Sequence, residues 1–199
     1  MNDKKRRYTY TLMIIARNEI EGMKVVGPRI KKEWLDEVLV VDGSSTDGTP
    51  EYAESLGFTV LRQKSIGVVN GIRDGFVAAK GSVVIGYTPD NNMIPEKIPE
   101  IIAKMEEGYD MVCCSRYYQG ARSEDDTLVT GFGNWLFTTL LNLAFHTNYT
   151  DVLGFYRAFR KDLLDELNID VGFSITTRLS IRCKKTGKRV CDIGGDEPP

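Results

Sequence analysis

The chain has 199 residues, a hydrophobic share of 42% and a formal net charge of −2 at pH 7. These values are typical of one globular domain with a substantial core, and they exclude a strongly basic nucleic-acid-binding protein. No apolar run approaches the ~20 residues that a membrane-spanning helix needs. We therefore expect a single domain over residues 1–199 and no nucleic-acid partner.

The first half of the chain alternates short β-branched runs with amphipathic segments. We predict strands at residues 10–15, 38–41, 58–62, 83–87 and 111–114, with helices between them near residue 18 and at 50–57, 68–79 and 95–107. Asn18 is expected to cap the first helix, with Glu21 at the capping-box position, and Thr49 to cap the second. This alternation predicts right-handed βαβ units and hence an α/β fold with a mostly parallel sheet.

The second half begins with a polar loop at 118–126 and continues with the apolar segment 133–147. Helices at 161–167 and 176–185 and a strand at 189–193 are predicted after it. Segment 133–147 is apolar on more than one face. It could lie at a membrane surface, with Trp135 and Phe137 as interfacial anchors, or form a core helix packed on the sheet, which is the interpretation we favour.

Two acidic residues follow predicted parallel strands. Asp42 ends the 38–41 run and opens a loop rich in glycine and hydroxyl groups, and Asp90 follows the 83–87 run. In open α/β sheets, ligands bind at the carboxyl ends of the strands. An acid there can accept hydrogen bonds from a base or ribose, so Asp42 is a candidate nucleotide-binding residue, the alternative being a turn residue. Asp47 is expected to organise the loop before Thr49.

The order and spacing of five short motifs carry a family resemblance. They are Ala16-Arg17-Asn18-Glu19, the segment 42–49, Asp90, Ser115-Arg116-Tyr117 and the segment 150–157. Together they resemble the family 2 nucleotide-sugar glycosyltransferases, and among them the dolichyl-phosphate or polyprenyl-phosphate sugar synthases. The resemblance covers about residues 11–192. It implies a GT-A fold, Rossmann-like with helices on both faces of the sheet, with a nucleotide-sugar half at about 8–117 and an acceptor half at about 118–199.

The resemblance also implies roles for individual residues. The donor would be a GDP- or UDP-hexose and the acceptor a polyprenyl or dolichyl phosphate. Asp90 would hold Mg²⁺ or Mn²⁺ with Asn92 as a further oxygen ligand, the alternative being a turn residue beside Pro89. Arg116 would face phosphate, the alternative being a surface salt bridge. The residues expected to contact the nucleotide sugar are Ala16, Asn18, Glu19, Asp42, Ser44, Gly67 and Ser115.

Three positions depart from the family pattern. Many members carry two acids where this chain has Asp42 and Gly43, an Asp-x-Asp where it has Thr88 and Asp90, and a lysine where it has Val68. Arg73, on the same predicted helix as Val68, could replace that lysine or simply face solvent. The departures keep open a domain that binds nucleotide sugar without turnover, and a transferase acting on a hydroxyl acceptor is the other alternative.

The resemblance also implies that Asp151 is the acid on the acceptor side. If the acceptor is a hydroxyl, Asp151 would be the general base. If the acceptor is a lipid phosphate, which is already an anionic nucleophile, Asp151 would position the sugar or acceptor instead. A helix cap is the structural alternative.

The four cysteines form no metal-binding spacing, so we expect reduced thiols and a cytoplasmic protein. The basic residues 4–7 could contact anionic headgroups at the inner face of a membrane or form a solvated tail. Because relatives often continue beyond the last predicted strand, the chain could be a trimmed catalytic domain.

Overall fold

The computed structural model describes residues 6–64, 67–90, 92–118, 128–172 and 174–195, with only the backbone of 128–130. One seven-stranded sheet forms its centre, in the order β3-β2-β1-β4-β6-β5-β7. The strands are β1 Tyr10–Ala16, β2 Glu37–Asp42, β3 Thr59–Arg62, β4 Val83–Tyr87, β5 Met111–Ser115, β6 Arg157–Arg160 and β7 Val190–Gly194. All neighbouring pairs are parallel except those that involve β6. The predicted α/β fold with a mostly parallel sheet is confirmed.

Helices cover both faces of this sheet. They are α1 Ile20–Val26, α2 Thr49–Ser55, α3 Val68–Ala78, α4 Ile98–Glu106, α5 Leu128–Phe145, α6 Asp162–Glu166 and α7 Ile175–Lys185. Alternate residues of each strand point to opposite faces. Leu12 and Ile14 therefore pack with the cluster beneath α1, α2 and α4, whereas Met13 packs with the cluster that includes α3, α6 and α7. None of the helices in the described ranges is long and apolar enough to cross a membrane.

Strand β6 is absent from the sequence-based prediction. It inserts antiparallel between β4 and β5, with Ala158 opposite both Ile85 and Val112. Its four residues, Arg-Ala-Phe-Arg, begin and end with arginine, so they lack the apolar run that marks a central strand. Arg157 is nevertheless buried, with 2% of its surface exposed. The burial of this arginine depends on hydrogen-bond acceptors from distant segments, which local sequence does not reveal.

The favoured interpretation of segment 133–147 as a core helix is wrong. Of the described side chains of α5, only Asn134, Thr138 and Leu141 are buried. The large apolar side chains point outward instead, and those more than one third exposed are Phe132, Trp135, Leu136, Phe137, Leu140 and Leu143. We call these six residues the apolar face of α5. The helix thus turns two polar residues inward and its largest apolar residues toward solvent.

The predicted helix starts differ in detail. Asn18 does not cap α1: its φ is +56°, and its Oδ1 accepts from the Thr46 N–H of the neighbouring loop. Gly48, rather than Thr49, occupies the N-cap of α2, with φ +92°. Asp47 Oδ1 accepts from the N–H and hydroxyl of Thr49 at 3.0 and 2.6 Å, which confirms its expected role in organising this loop.

Candidate functional site

A cleft of about 240 Å³ opens at the carboxyl ends of β4 and β5. Its lining includes Asp90 and Asn92 from the loop after β4, Arg116 directly after β5, and Gly154 and Tyr156 from the turn before β6. The fold therefore brings together Asp90, Asn92 and Arg116, which the sequence placed at two separate strand ends. β6 explains this convergence, because it pairs with both β4 and β5 and so carries the 151–156 segment into the space between them.

The loops after β1 and β2 form the adjoining part of the same sheet edge. Ala16 and Asp42 are partners in the β1–β2 register. The Asn18 N–H donates to Ser45 Oγ at 2.8 Å, and the Glu19 N–H donates to Thr49 Oγ1 at 2.9 Å. Asn18 and Glu19 are thereby fixed against the loop that follows Asp42, so the structure brings these predicted nucleotide-binding residues to neighbouring strand ends.

Asp42 is fully buried at the end of β2. Its carboxylate oxygens lie 3.2 and 3.3 Å from the Ser45 nitrogen, whose N–H donates to them. The intervening Ser44 has a φ of +66°, a left-handed conformation that lets the chain turn back onto Asp42. Asp42 thus closes a turn at the position where a nucleotide-binding acid was expected. Gly67, also predicted to contact the donor, is the N-cap of α3, with φ +118°.

Asp90 is exposed at the mouth of the cleft. Thr88 Oγ1 donates to Asp90 Oδ1 at 3.1 Å, and the Asn92 N–H donates to the same oxygen at 3.3 Å. The hydroxyl of Thr88, which stands at the first position of the family's Asp-x-Asp pattern, therefore contacts the acid at the second, Asp90. Burial raises the pKa of Glu19, and the charges of Asp90 and Asp47 raise it further, which places a second carboxylate in the electric field of Asp90.

Arg116 and Asp151 form a two-pronged ion pair beside the cleft. Arg116 Nε lies 2.9 Å from Asp151 Oδ2, and Nη2 lies 3.4 Å from Oδ1. The Asp151 side chain is 1% exposed, against 31% for Arg116. Asp151 Oδ1 also accepts from the N–H groups of Leu153 and Gly154 at 3.2 and 2.9 Å, and from Asn134 Nδ2 at 3.5 Å.

These contacts determine the protonation of Asp151. Burial alone would raise its pKa, but the hydrogen bond and charge of Arg116, the charge of Arg157 and the Gly154 N–H together hold the pKa below the ordinary value of an aspartate. Such a carboxylate is a poor proton acceptor near neutral pH. Its geometry is that of a residue that fixes Arg116 and the turn at 151–154.

Arg157 was noted in the sequence only as the end of a motif, yet it holds this turn from within the core. Its Nε donates to the Gly154 carbonyl at 2.8 Å, and Nη2 donates to the carbonyls of Asp151 and Val152 at 3.4 and 3.3 Å. The other end, Nη1, donates to the Ser180 hydroxyl of α7 at 3.2 Å. A buried arginine bound to carbonyls keeps its charge close to Asp151 while it cross-links the turn to α7.

Several predicted residues lie away from the cleft. Arg73 Nη2 donates to the Val171 carbonyl at 3.4 Å, so its contact is with the chain before α7. Arg6 donates to the carbonyls of Glu33 and Trp34, and the Arg7 N–H donates to Glu106. These contacts occur where β1 begins, at the sheet edge opposite the cleft. Residues 4 and 5, and most of the predicted loop at 118–126, lie outside the described residues.

Comparison with known proteins gives consistent results. Residues 11–167 match the model of the family described as "Glycosyl transferase family 2". Glycosyltransferase AglJ of Haloferax volcanii is 30% identical over 172 residues, which cover 85% of this chain and 56% of that protein. The dolichol-phosphate mannosyltransferase of Pyrococcus furiosus is 27% identical over 194 residues, which cover 87% of this chain and 53% of that protein. The chain thus spans about half the length of these relatives.

A solved structure supports the fold. Glucosyl-3-phosphoglycerate synthase from Mycobacterium tuberculosis, in complex with Mn²⁺, UDP and glucosyl-3-phosphoglycerate, superposes with a TM-score of 0.76 at 20% sequence identity. The match covers 96% of this chain and 71% of the synthase. At this identity the likeness establishes the fold alone. The family model, by contrast, extends over most of the described sheet and its connecting helices, and the chain belongs to glycosyl transferase family 2.

Proposed function

We propose that the chain transfers a hexose from a nucleotide diphosphate sugar to a polyprenyl or dolichyl phosphate. The observation that carries this proposal is the cleft in which an exposed acid, Asp90, lies across from Arg116, whose guanidinium is fixed by Asp151. The cleft thus offers an oxygen ligand for a cation and a fixed cationic fork, the two groups that a sugar diphosphate requires. The names of the relatives, which include a dolichol-phosphate mannosyltransferase, agree with this acceptor.

The donor would occupy the carboxyl edge of the sheet. Ala16, Asn18, Glu19, Asp42 and Ser44 would contact the nucleoside from the loops after β1 and β2. The backbone of Gly67 is proposed to line the same site. Ser115, also predicted to contact the donor, is fully buried, and its hydroxyl is bonded to Thr150 instead. Arg116 would bind the diphosphate, where its planar fork can donate to two oxygens at once.

Asp90 is the proposed ligand of Mg²⁺ or Mn²⁺, with Asn92 beside it. Among the described residues there is no group of three or more histidine, cysteine or acidic side chains that could hold a metal ion by itself. One exposed carboxylate fits a divalent ion that keeps waters and binds mainly to substrate phosphates. When bound, the ion would neutralise the charge that develops on the departing diphosphate. The Mn²⁺ in the related synthase structure supports the same choice of ion.

The state of Asp151 favours a phosphate acceptor over a hydroxyl acceptor. A phosphate oxygen would form the new bond to the anomeric carbon while the bond from that carbon to the nucleoside diphosphate breaks and its electron pair leaves with the diphosphate. In-line attack inverts the anomeric centre and requires no general base. Asp151, with its low pKa and its bonds to Arg116, Leu153 and Gly154, would act by positioning.

A transfer assay tests the proposal. The protein would be incubated with Mn²⁺, GDP-mannose or UDP-glucose carrying a labelled sugar, and a short-chain polyprenyl phosphate. We expect label in an organic-soluble product, and we expect Arg116→Ala to reduce its formation about 100-fold, as for loss of other donors that stabilise developing charge. Transfer to a hydroxyl acceptor alone would contradict the lipid proposal, and nucleotide binding without any transfer would favour a non-catalytic binding domain.

The exposed apolar face of α5 is the proposed contact with the membrane that holds such a lipid. Its residues include Trp135, Phe137 and Leu143. Helix α5 packs beside α7, where Lys185 Nζ lies 5.1 Å from the centre of the Phe145 ring. The exposed cations of α7 are Arg178, Arg182, Lys184 and Lys185. An apolar helix flanked by cations suits a surface of anionic lipids, at about 1 kcal/mol per basic residue near the bilayer.

Co-sedimentation with vesicles tests this surface. We expect the protein to bind vesicles that contain phosphatidylglycerol and phosphatidylcholine more strongly than vesicles of phosphatidylcholine alone. Leu143→Ser should weaken binding, whereas Val77→Ser, at an apolar position of α3 that is 81% exposed, should not. Equal loss in both variants, or no binding to either vesicle, would overturn the proposed membrane contact.

A further inference from the structure

Three polar side chains form a chain of hydrogen bonds behind the Arg116–Asp151 pair. Ser115 Oγ accepts from the Tyr117 N–H at 3.1 Å and lies 2.6 Å from Thr150 Oγ1. Thr150 Oγ1 lies 2.8 Å from Asp192 Oδ2, and the Thr150 N–H donates to the same oxygen at 2.9 Å. The three residues come from the end of β5, the turn before β6 and strand β7.

The chemistry of the groups gives this chain a direction. When Asp192 is ionised its carboxylate can only accept, so the Thr150 hydroxyl then donates its one proton to Asp192. Its oxygen is then free to accept from the Ser115 hydroxyl, whose own oxygen accepts from the Tyr117 N–H. Donors therefore point in sequence from the segment after β5 to Asp192. Bonds that end on an ionised group are stronger than those between neutral groups.

The hydrogen bonds that join Ser115, Thr150 and Asp192 run alongside the ion pair of the cleft. Ser115 precedes Arg116, and Thr150 precedes Asp151, so the two segments are linked at two successive residues. The first link is the hydroxyl contact, and the second is the ion pair. Because Asp192 lies opposite Cys113 in the β5–β7 register, it attaches the first link to the sheet.

Asp192 lies in surroundings that disfavour its charge. Burial raises the pKa of Asp192, and the bonds from Thr150 and the charge of Arg157 oppose this only in part. A carboxylate placed there is costly unless its hydrogen bonds serve the structure around it. Neither the family resemblance nor the motifs considered above gave it a role.

We propose that Thr150 and Asp192 are positioning residues, which hold the Ser115–Arg116 strand end against the Asp151 turn so that the Arg116 fork faces the cleft. Neither residue is expected to touch the donor. The proposal rests on the proposed function in one respect, the assignment of Arg116 to the donor phosphates. Loss of the hydrogen bonds between Ser115, Thr150 and Asp192 should therefore weaken diphosphate binding only while Arg116 is present.

Calorimetric titration of UDP and GDP with Mn²⁺ tests this coupling. We expect Thr150→Val to raise the dissociation constant of the preferred nucleotide about tenfold, which corresponds to a typical coupling energy between contacting groups. Thr150→Ser, which keeps the hydroxyl, should restore affinity, and Thr59→Val at an exposed position of β3 should leave it unchanged. In an Arg116→Ala background, Thr150→Val should cause no further loss. An equal loss in both backgrounds would overturn the proposal.

The Arg116 Nε–H signal in ¹⁵N NMR provides a test that does not depend on nucleotide binding. We expect this signal to shift or to exchange faster with water in Thr150→Val and in Asp192→Ala, and to be retained in Thr150→Ser. A signal unchanged in Thr150→Val, in protein whose melting temperature shows that it is folded, would overturn the positioning role. Failure of the wild-type chain to bind either nucleotide would instead contradict the proposed function.

Discussion

Asp151 illustrates how surroundings decide the role of a carboxylate. The same residue could serve as a general base in an open, weakly bonded site. Here it is buried, accepts from two N–H groups and is paired with Arg116, so that its pKa is lowered despite the burial. A carboxylate that already accepts hydrogen bonds from Arg116, Leu153 and Gly154 is suited to hold these neighbours in place.

The lowered pKa predicts how Asp151 contributes to stability at different pH values. Because the folded pKa lies below the unfolded one, the contribution is fully present above the unfolded value, ordinarily about 3.9, and is lost as the pH falls through the folded value. We expect Asp151→Asn to lower the free energy of unfolding at pH 7 by about 2 kcal/mol. The free energies of unfolding of Asp151→Asn and wild type, measured by urea denaturation, should become more similar as the pH is lowered toward 3.

A matched control exists for this substitution. Asp162 also pairs with an arginine, Arg160, at 3.4 Å, but its side chain is 68% exposed. Asp162→Asn should change the free energy of unfolding by less than about 0.5 kcal/mol. Equal effects of the two substitutions, or a cost of Asp151→Asn that does not depend on pH, would contradict the account given for Asp151.

At the scale of elements, the position of the Asp90 loop depends on a close approach to helix α1. A Cβ added to Gly22 would lie 1.8 Å from the Pro89 carbonyl oxygen, so the loop rests on the bare backbone of the helix. Any side chain at this position must push Pro89, and with it Asp90, away. Gly22 thus provides the space in which the proposed metal ligand is held.

We expect Gly22→Ala to displace Asp90 and to weaken Mn²⁺-dependent nucleotide binding at least about tenfold. It should also lower stability by about 1–3 kcal/mol, as overpacking commonly does. Gly133→Ala in α5 is the control, because no atom of the described residues outside the adjacent helix backbone lies within 4 Å of the added Cβ. Alanine there should stabilise the helix by about 0.5–1 kcal/mol. Normal metal-dependent binding by Gly22→Ala would show that the contact does not position Asp90.

The inward face of α5 predicts a substitution that stabilises the protein. Thr138 is 5% exposed, and its hydroxyl has no hydrogen-bond partner among the residues that the structure describes. Burial of an unpaired hydroxyl costs about 1–3 kcal/mol, so Thr138→Val should raise the melting temperature. Thr139→Val, at the adjacent and less buried position, should change it little. A lower melting temperature for Thr138→Val would indicate that the hydroxyl has a partner, such as water.

The elements differ in how far the sequence alone could predict them. The five strands 10–15 to 111–114 were correctly predicted, because each is a short, mainly apolar run bounded by turn residues. Strand β6 was not, since its pairing depends on β4 and β5 rather than on its own composition. For α5 the sequence predicted the helix but not its orientation, because a helix that is apolar nearly all round gives no indication of which side is buried.

For the site, strand ends were predictable and side-chain partners were not. The positions of Asp42, Asp90 and Arg116 follow from the rule that parallel strands present their carboxyl ends at one edge. The left-handed Asn18, the Arg116–Asp151 pair and the role of Arg157 depend on contacts between residues distant in the chain. No local pattern in the sequence indicates such contacts.

At the scale of the whole molecule, the carboxyl and amino ends of the strands form two different regions. The carboxyl edge carries the cleft and the loops after β1 and β2, and the opposite edge is where Arg6 and Arg7 contact the chain before β2 and the end of α4. If the apolar face of α5 contacts a membrane, the acceptor would approach from the side of the 151–156 turn.

The most direct test of this account is calorimetric titration of GDP-mannose and UDP-glucose into the protein with Mn²⁺ and again with EDTA. We predict that one donor binds only with the metal and that this binding is lost in Asp90→Ala. Asp162→Ala, which removes an exposed acid at the start of α6, should retain it. Binding of neither donor, or binding that is the same in EDTA and in Asp90→Ala, would contradict the assignment of a metal-assisted nucleotide-sugar site to this cleft.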